Sequence, residues 1–419
     1  MNNIVFLFTS AYPFGKGEQF LETEIKYLAN RFASVVIIPD TLSVSHRDIP
    51  KNVLVDTEFA KGNVRITRFI LYFFYFLINF GLFCKEILIR RKISLDVFLK
   101  NIHFIGNGER LHKWFLKKYS NDIKNYSRTI LYSYWMKYQS FGIAKINKKI
   151  SCVGISRAHG GDLYENADGN NNYLAQRQYI LNNLDIIVPI STSGKDYFNK
   201  KYDPPFKTKI YVNRLGVEND KMIMTQKKEK SEKNKIHIVS CSSFVPVKRV
   251  EFIYKSILSF SIQSPKIEVT WTHIGGSKEE YDKVVTNDNT DNVKKIFLGQ
   301  IKNTEIFKFY KNNKIDLFIN LSSSEGIPVS IMEAQSFGIP VLATNVGGVS
   351  EIVNNQNGIL LKGAPTLLEV VSGIESFLDY ESRMIKSEKS KENWMKNYNA
   401  EINYSKFVNK LISIAGKKS

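Results

Sequence analysis

The segment Glu325-Gly-Ile-Pro-Val-Ser-Ile-Met-Glu333 holds two carboxylates with seven residues between them and a Gly-x-Pro turn in the interval. A hydrophobic run at 315–321 comes just before it. A helix-like run at 329–337 comes just after and ends at Gly338. Strand, polar loop and helix in that order build a ligand site at the carboxyl edge of a parallel sheet. Pro328 suits the first helical turn, where its missing N–H costs nothing. The free N–H groups of that turn, with the positive end of the helix dipole, can hold a phosphate. Glu325 in the loop and Glu333 in the helix could then border one ligand. A loop acid beside a solvated helix acid is the plainer alternative.

The elements that must position these residues are legible as alternation. In the first half, short apolar runs at 4–9, 35–38, 129–134, 152–157, 185–190 and 210–213 read as strands. Residues 18–29 read as a helix, with Phe20, Leu21, Ile25 and Leu28 on one stripe. A lysine-rich polar run at 221–235 reads as a linker. Strands then resume at 236–241, 267–274, 296–298, 317–321 and 341–344. Helices alternate with them near 250–262, 304–311, 329–337 and 367–379, and 380–416 is helical and charged. Such βα alternation implies right-handed crossovers and a parallel sheet in each half. The 419 residues suit two α/β domains.

Composition narrows the class. With 43% hydrophobic residues the chain can build substantial cores. Cys84, Cys152 and Cys241 are scattered without metal-type spacing, and a reduced cytoplasmic protein is the simplest reading. The amino terminus reads as a first buried strand rather than a signal peptide. The net charge of +19 is uneven: between Lys61 and Lys149, eighteen Lys and Arg face only Glu86, Asp96, Glu109 and Asp122. The same region contains an aromatic run at 69–84, flanked by Arg65, Arg68, Lys85, Arg90, Arg91 and Lys92. The run is shorter than the roughly 20 residues of a membrane-spanning helix. Its aromatics and cations suit a helix lying on anionic lipid, and a buried core helix with solvated flanks is the alternative. No nucleic-acid motif accompanies the basic patch, so nucleic acid is not expected as a partner.

Further motifs accompany the glutamate pair. They are Gly347-Gly-Val-Ser-Glu351, Ser242-Ser-Phe-Val-Pro-Val-Lys-Arg249, Tyr12-Pro-Phe-Gly-Lys-Gly-Glu-Gln-Phe20 and Ser156-Arg-Ala-His-Gly-Gly-Asp-Leu-Tyr164. In this order the set resembles the retaining glycosyltransferases of the GT-B fold with paired glutamates, in particular those that build bacterial surface polysaccharides such as colanic acid, O-antigen and capsule. The resemblance implies two Rossmann-like domains facing a central cleft. Residues 1–215 would bind the acceptor, 216–235 would link, 236–395 would bind the nucleotide sugar, and a C-terminal helix at 396–419 could pack back on the first domain. It implies transfer of a hexose from a nucleotide-diphosphate sugar to a saccharide or lipid-linked saccharide acceptor. UDP is the expected carrier and GDP the second choice. A catalytically inactive GT-B subunit, acting as a partner or scaffold, is the alternative.

The resemblance also distributes roles. Lys248 would meet the leaving diphosphate, assisted by backbone N–H groups of Val329 and Ser330. Glu325, with the N–H groups of Gly326 and Ile327, would contact the donor sugar. Glu333 would accept from the ribose hydroxyls, and His159 would stand near the reacting sugar. Gly299 and Ile301 would complete the donor side. Gly15 and Gly17 let the backbone approach an acceptor closely. Glu18 is either an acceptor-side contact or a first-turn helix acid. Ser243 stands where many relatives carry an arginine, and Arg249 could compensate only if a turn redirects it. No metal and no cofactor are expected, and Asp288-Asn-Thr-Asp291 reads as a turn. A cytoplasmic location, peripheral on the inner face of the membrane, follows from the resemblance and the basic aromatic region together.

Overall fold

The computed structural model describes residues 2–415 except 16, 63–64, 92, 168, 203–205, 207, 220–233 and 287–289, with 65–69 as backbone. Most of the expected linker, Lys16, Lys92, Asp288 and the side chains of Arg65, Arg68 and Phe69 therefore lie outside the described residues. The chain divides into two units, Met1–Leu215 with Ala400–Ser419, and Gly216–Asn399.

The first unit contains β1 (Asn3–Thr9), β2 (Ser34–Pro39), β3 (Val53–Val55), β4 (Arg128–Ser133), β5 (Val153–Ala158), β6 (Ile186–Pro189) and β7 (Lys209–Ile210). All pair in parallel, in the order β3-β2-β1-β4-β5-β6-β7. Alternate residues point to opposite faces, and both faces are buried. Ile4, Phe6 and Phe8 face a cluster with Phe115, Tyr72 and Phe76. Val5 and Leu7 face Leu21, Ile25 and Leu28 on the helix Leu21–Arg31, together with Phe407, Val408 and Leu411 on the helix Ala400–Ala415.

A charged network is sealed inside this second face. The Arg157 guanidinium donates to Glu24 Oε2 at 2.9 Å, and Arg157 Nε donates to the Tyr132 hydroxyl at 2.7 Å. Tyr132 donates in turn to Glu24 Oε1 at 2.7 Å, and Arg157 also donates to the Asn213 carbonyl at 3.1 Å. Arg157 and Glu24 have no exposed surface, and Glu24 holds the Arg157 pKa above its ordinary value despite burial.

The aromatic run divides between two environments. Its helices, Arg65–Ile78 and Phe80–Arg90, meet at a 73° bend around Asn79. No single helix among the described residues is long and apolar enough to cross a membrane; the bent pair passes by length and composition only. Tyr72 and Phe76 are buried. Tyr72 lies against Gly106 of the helix Leu95–Tyr119, where an added Cβ would come within 2.5 Å of the Tyr72 Cβ. The opposite side exposes Ile70 (70%), Phe73, Phe74 (56%), Leu77 and Ile78, followed by Phe80, Leu88 and Ile89. Neither sequence alternative describes the run alone, because only part of the helix surface reaches the core. Arg90 also departs from expectation. It is not a free flanking cation but is paired with the buried carboxylate of Glu165.

The second unit contains β8 (Lys235–Cys241), β9 (Glu268–Ile274), β10 (Val293–Gly299), β11 (Leu317–Asn320), β12 (Val341–Thr344) and β13 (Gly358–Leu361). These strands are parallel in the order β10-β9-β8-β11-β12-β13. Both sheets therefore reverse their build direction at the first strand of the unit, the arrangement that opens a crevice at the carboxyl ends of the strands.

Removing one partner of a buried ion pair leaves a charge without water or counterion. Glu24→Ala is expected to destabilise the chain by about 3–5 kcal/mol. Urea denaturation followed by circular dichroism measures this, and an unchanged midpoint contradicts it.

Candidate functional site

In the second unit the loops after neighbouring strands β8, β11 and β12 meet. The loop after β8 contains one helical turn, Pro246–Lys248, and then Arg249 in the left-handed region at φ 49°. Ser323 N–H donates to the Val247 carbonyl at 2.8 Å and ties this loop to the one after β11. Lys248 Nζ then donates to Glu325 Oε1 at 2.6 Å. The Asn320 amide approaches the same oxygen at 3.5 Å, while its own Oδ1 accepts from Ser322 N–H at 3.1 Å. Lys248 keeps about a quarter of its side chain exposed (26%), against 9% for Glu325. A compact ammonium beside a carboxylate can meet an anion and a hydroxyl side by side.

The backbone of Glu325 is held by close approach. Gly348 N–H donates to the Gly326 carbonyl at 2.7 Å. A Cβ on Gly347, at φ 54°, would lie 1.8 Å from the Glu325 carbonyl oxygen. Only glycine fits there. Beyond this contact Pro328 precedes the helix Val329–Ser336. Among the described residues no acceptor meets the N–H groups of Gly326, Ile327, Val329 and Ser330. Unpaired donors at a helix start form an anion site.

Glu333 is not the solvated helix acid of the plainer alternative. It is buried, and Asn303 Nδ2 donates to its Oε1 at 2.5 Å. Burial pushes the carboxyl up to about 7, and the Asn303 bond opposes this without cancelling it. Gly299, at φ 64°, ends β10 and accepts from Gly275 N–H at 2.8 Å, with Ile301 half-buried just beyond.

Arg249 requires a correction. The turn it needed is present, but the guanidinium is directed into the protein. Its Nε donates to the Leu321 carbonyl, and its Nη2 donates to the carbonyls of Ser322 at 2.8 Å and Gly363 at 2.9 Å. Through these two nitrogens it braces the loops, and burial lowers its pKa.

In the first unit the segments after β1, β4 and β5 carry the other candidates. His159 follows β5, and its backbone N–H donates to Asp162 Oδ1 at 2.5 Å. Asp162 Oδ2 accepts from Met136 N–H, also at 2.5 Å, and burial lifts the Asp162 carboxyl to about 6. The His159 ring lies 4.9 Å from the Tyr134 ring and 4.4 Å from the Trp135 ring, centroid to centroid. Among the described residues neither imidazole nitrogen makes a hydrogen bond of ordinary geometry. Burial first, then Arg157 and Lys137, hold its pKa well below the ordinary value. The ring is therefore neutral at pH 7 and can give or accept a hydrogen bond with a ligand hydroxyl.

Glu18 departs from both of its expected roles. It lies in the left-handed region at φ 58°, and the helix begins only at Leu21. Its carboxylate accepts from the N–H groups of Ser10, Ala11 and Tyr12, each at 2.8 Å, and from Trp135 Nε1 at 2.6 Å. These four donors leave it no role as a direct contact to a substrate. Gly15, at φ 69°, donates its N–H to the Ser45 carbonyl at 3.0 Å, and the Gly17 carbonyl accepts from Arg47. Asn303, Asn320, Tyr134 and Trp135 were not singled out in the sequence, because each acts through a neighbour distant along the chain. Asp162 sits in the quoted histidine motif three residues after His159, a helix-capping position.

Residues 223–399, somewhat under half of the chain, match the family described as "Glycosyl transferases group 1". The chain is 29% identical to Protein CapJ of Staphylococcus aureus, over 51% of this chain and 55% of that protein. It is 41% identical to the O-antigen biosynthesis glycosyltransferase WbnH of Escherichia coli, over 16% of this chain and 18% of that one. The matched stretches thus span about half and about a fifth of those two relatives. HepE of Anabaena, solved in complex with UDP, superposes with a TM-score of 0.64 over 99% of this chain and 100% of that one, at 15% identity. The two Rossmann-like units are those of the GT-B fold.

The Glu333 carboxyl makes stability depend on pH. Between its ordinary value near 4.5 and its folded value of about 7, the folded chain holds a proton that the unfolded chain has lost. The stabilising contribution is full below 4.5 and is lost as pH rises through 7. Glu333→Gln is expected to remove this dependence, so that on going from about pH 5 to 8 the wild type loses up to about 3 kcal/mol that the variant retains. Denaturation midpoints at the two pH values decide it; parallel losses in both proteins would contradict it.

Proposed function

We propose that the protein is a retaining, metal-independent glycosyltransferase that moves a hexose from a nucleotide-diphosphate sugar to a saccharide or lipid-linked saccharide acceptor in surface-polysaccharide synthesis. The observation that carries this is the Lys248–Glu325 pair set beside the unpaired N–H groups of Gly326, Ile327, Val329 and Ser330. The leaving group is a diphosphate whose charge grows as the sugar–oxygen bond breaks. Lys248 and the helix start supply donors where that charge develops, which is how a site favours the transition state over the bound substrate. Glu325 takes hydroxyl protons of the transferred sugar in hydrogen bonds. Glu333 takes those of the ribose, and this contact would offset its present desolvation. His159 meets a sugar hydroxyl as a neutral imidazole. The C1–oxygen bond breaks with its electron pair leaving on the nucleoside diphosphate. The acceptor oxygen bonds C1 on the same face, and its hydroxyl proton passes to the departing diphosphate oxygen.

UDP is the preferred carrier and GDP the alternative; the UDP complex of HepE supports that order. The role of WbnH in O-antigen biosynthesis supports a saccharide acceptor. Lys248→Ala is expected to lower turnover by on the order of 10²–10³-fold while the protein stays folded. Transfer assays with a panel of nucleotide sugars, and NMR of the product anomer, test the reading. Wild-type turnover in Lys248→Ala contradicts the assignment, an inverted product contradicts retention, and donor binding without transfer or hydrolysis favours the inactive-subunit alternative.

The proposed location is the cytoplasmic face of a membrane with anionic lipid. The bent helix pair at 65–90 supports it. It presents Ile70, Phe73, Phe74, Leu77, Ile78 and Phe80 outward, with exposed Lys85 and Arg91 nearby, in the region where cations far outnumber acids. Apolar burial supplies a salt-resistant part of docking, and each cation near the surface adds about 1 kcal/mol that salt weakens. Vesicle co-sedimentation is expected to need anionic lipid, to fall with salt in the wild type, and to be largely lost in Phe74→Glu/Leu77→Glu. Indifference to anionic vesicles removes the docking role and leaves the transfer reading standing.

A further inference from the structure

His159, Trp135 and Glu18 stand in segments that leave β5, β4 and β1, three neighbours in one sheet. Among the described residues neither ring nitrogen of the imidazole makes a hydrogen bond of ordinary geometry, so packing chiefly sets its orientation. Tyr134 is fully buried, whereas Trp135 is only partly buried. What holds Trp135 is its Nε1–H, which donates to Glu18 Oε1 at 2.6 Å. Glu18 is immobile in turn, because its carboxylate accepts three backbone N–H groups from the turn at 10–12. Each of its oxygens has two donors.

We propose that Glu18 is a positioning residue: its carboxylate, locked by the backbone after β1, pins the Trp135 indole, and the indole sets the orientation of the His159 imidazole. The proposal rests on the reading of His159 as the group that meets the donor sugar. A charge-assisted N–H···O⁻ bond is strong enough to select one indole rotamer at a half-exposed site. Loss of that selection displaces the imidazole, and a displacement on the order of 1 Å can lower a rate on the order of 10²-fold. The charged and titratable groups facing His159 are Arg157 on its own strand, Lys137 and Tyr134 after β4, and Asp162 in its own turn; Glu18 acts from the far side of Trp135.

The experiment uses the full chain and two variants. Trp135→Phe keeps an aromatic ring and removes the N–H. Glu18→Gln keeps the shape and turns one acceptor oxygen into a donor. Each is expected to lower turnover about 10–100-fold with little change in KM for the donor. The double variant should be no worse than the poorer single one, because both cut the same linkage. Proton NMR supplies a readout that needs no glycosyl transfer. The wild-type His159 ring should stay neutral to well below pH 6.5, and in both variants its titration midpoint should move up toward that value as water reaches it. If Glu18→Gln does not fold, Trp135→Phe carries the test, since it leaves the three backbone N–H bonds to Glu18 intact. Unchanged His159 titration in folded variants overturns the proposal, whatever the rates do. A shifted titration in a chain that transfers no sugar from any donor upholds the positioning and removes the glycosyltransferase reading instead.

Discussion

Among the described residues all thirteen strands pair in parallel, and that constraint organises the chemistry of both units. Parallel strands release the chain at one edge, so every loop after a strand emerges on the same side of its sheet. The order within each sheet decides which loops meet. In the first unit β1, β4 and β5 are adjacent, which brings Glu18, Trp135 and His159 together although more than a hundred residues separate the first from the others. In the second, β8, β11 and β12 are adjacent, which brings Lys248, Glu325 and Gly347 together. The two sites follow one rule in two separate sheets.

Within this frame the number of protein donors or acceptors around a charge separates support from function. Glu18 accepts four N–H groups, and Arg249 donates to three carbonyls. Arg157 and Glu24 complete each other in the core. Such groups are tied to the protein by two or more bonds, and they hold their segments where they are. Lys248 and Glu325 have chiefly each other, with Asn320 at the edge of reach. Among the described residues Glu333 has one donor, and His159 has no ordinary hydrogen bond on its ring. A buried polar group with unused capacity is costly to keep unless a ligand completes it. These less completely bonded groups are the ones proposed to meet substrate.

The aromatic run shows the same division in apolar terms. Gly106 lets Tyr72 lie close against the helix Leu95–Tyr119, so one side of the run becomes core. The other side, from Ile70 to Phe80, has no element over it among the described residues. An apolar face of this extent beside cations is unusual for a surface that meets only water.

The sequence by itself determined what depends on local order. Periodicity marked the strands and most helices, because side-chain alternation and helical stripes are written in neighbouring residues. The Glu325–Glu333 spacing, Pro328 and the Gly347-Gly pair located a loop and helix start for the same reason. The helix Leu95–Tyr119 was not legible, since Gly106 and Gly108 interrupt its stripe where other helices press against it. Whether a charged residue is free or bound was not legible either. Glu18 looked like a helix acid or a ligand contact until β4 placed an indole N–H against it. Arg249 looked like a phosphate ligand until three carbonyls from later segments surrounded it. Hydrogen bonds of that kind join residues far apart in the chain, and only the packed sheet order decides which of them exist.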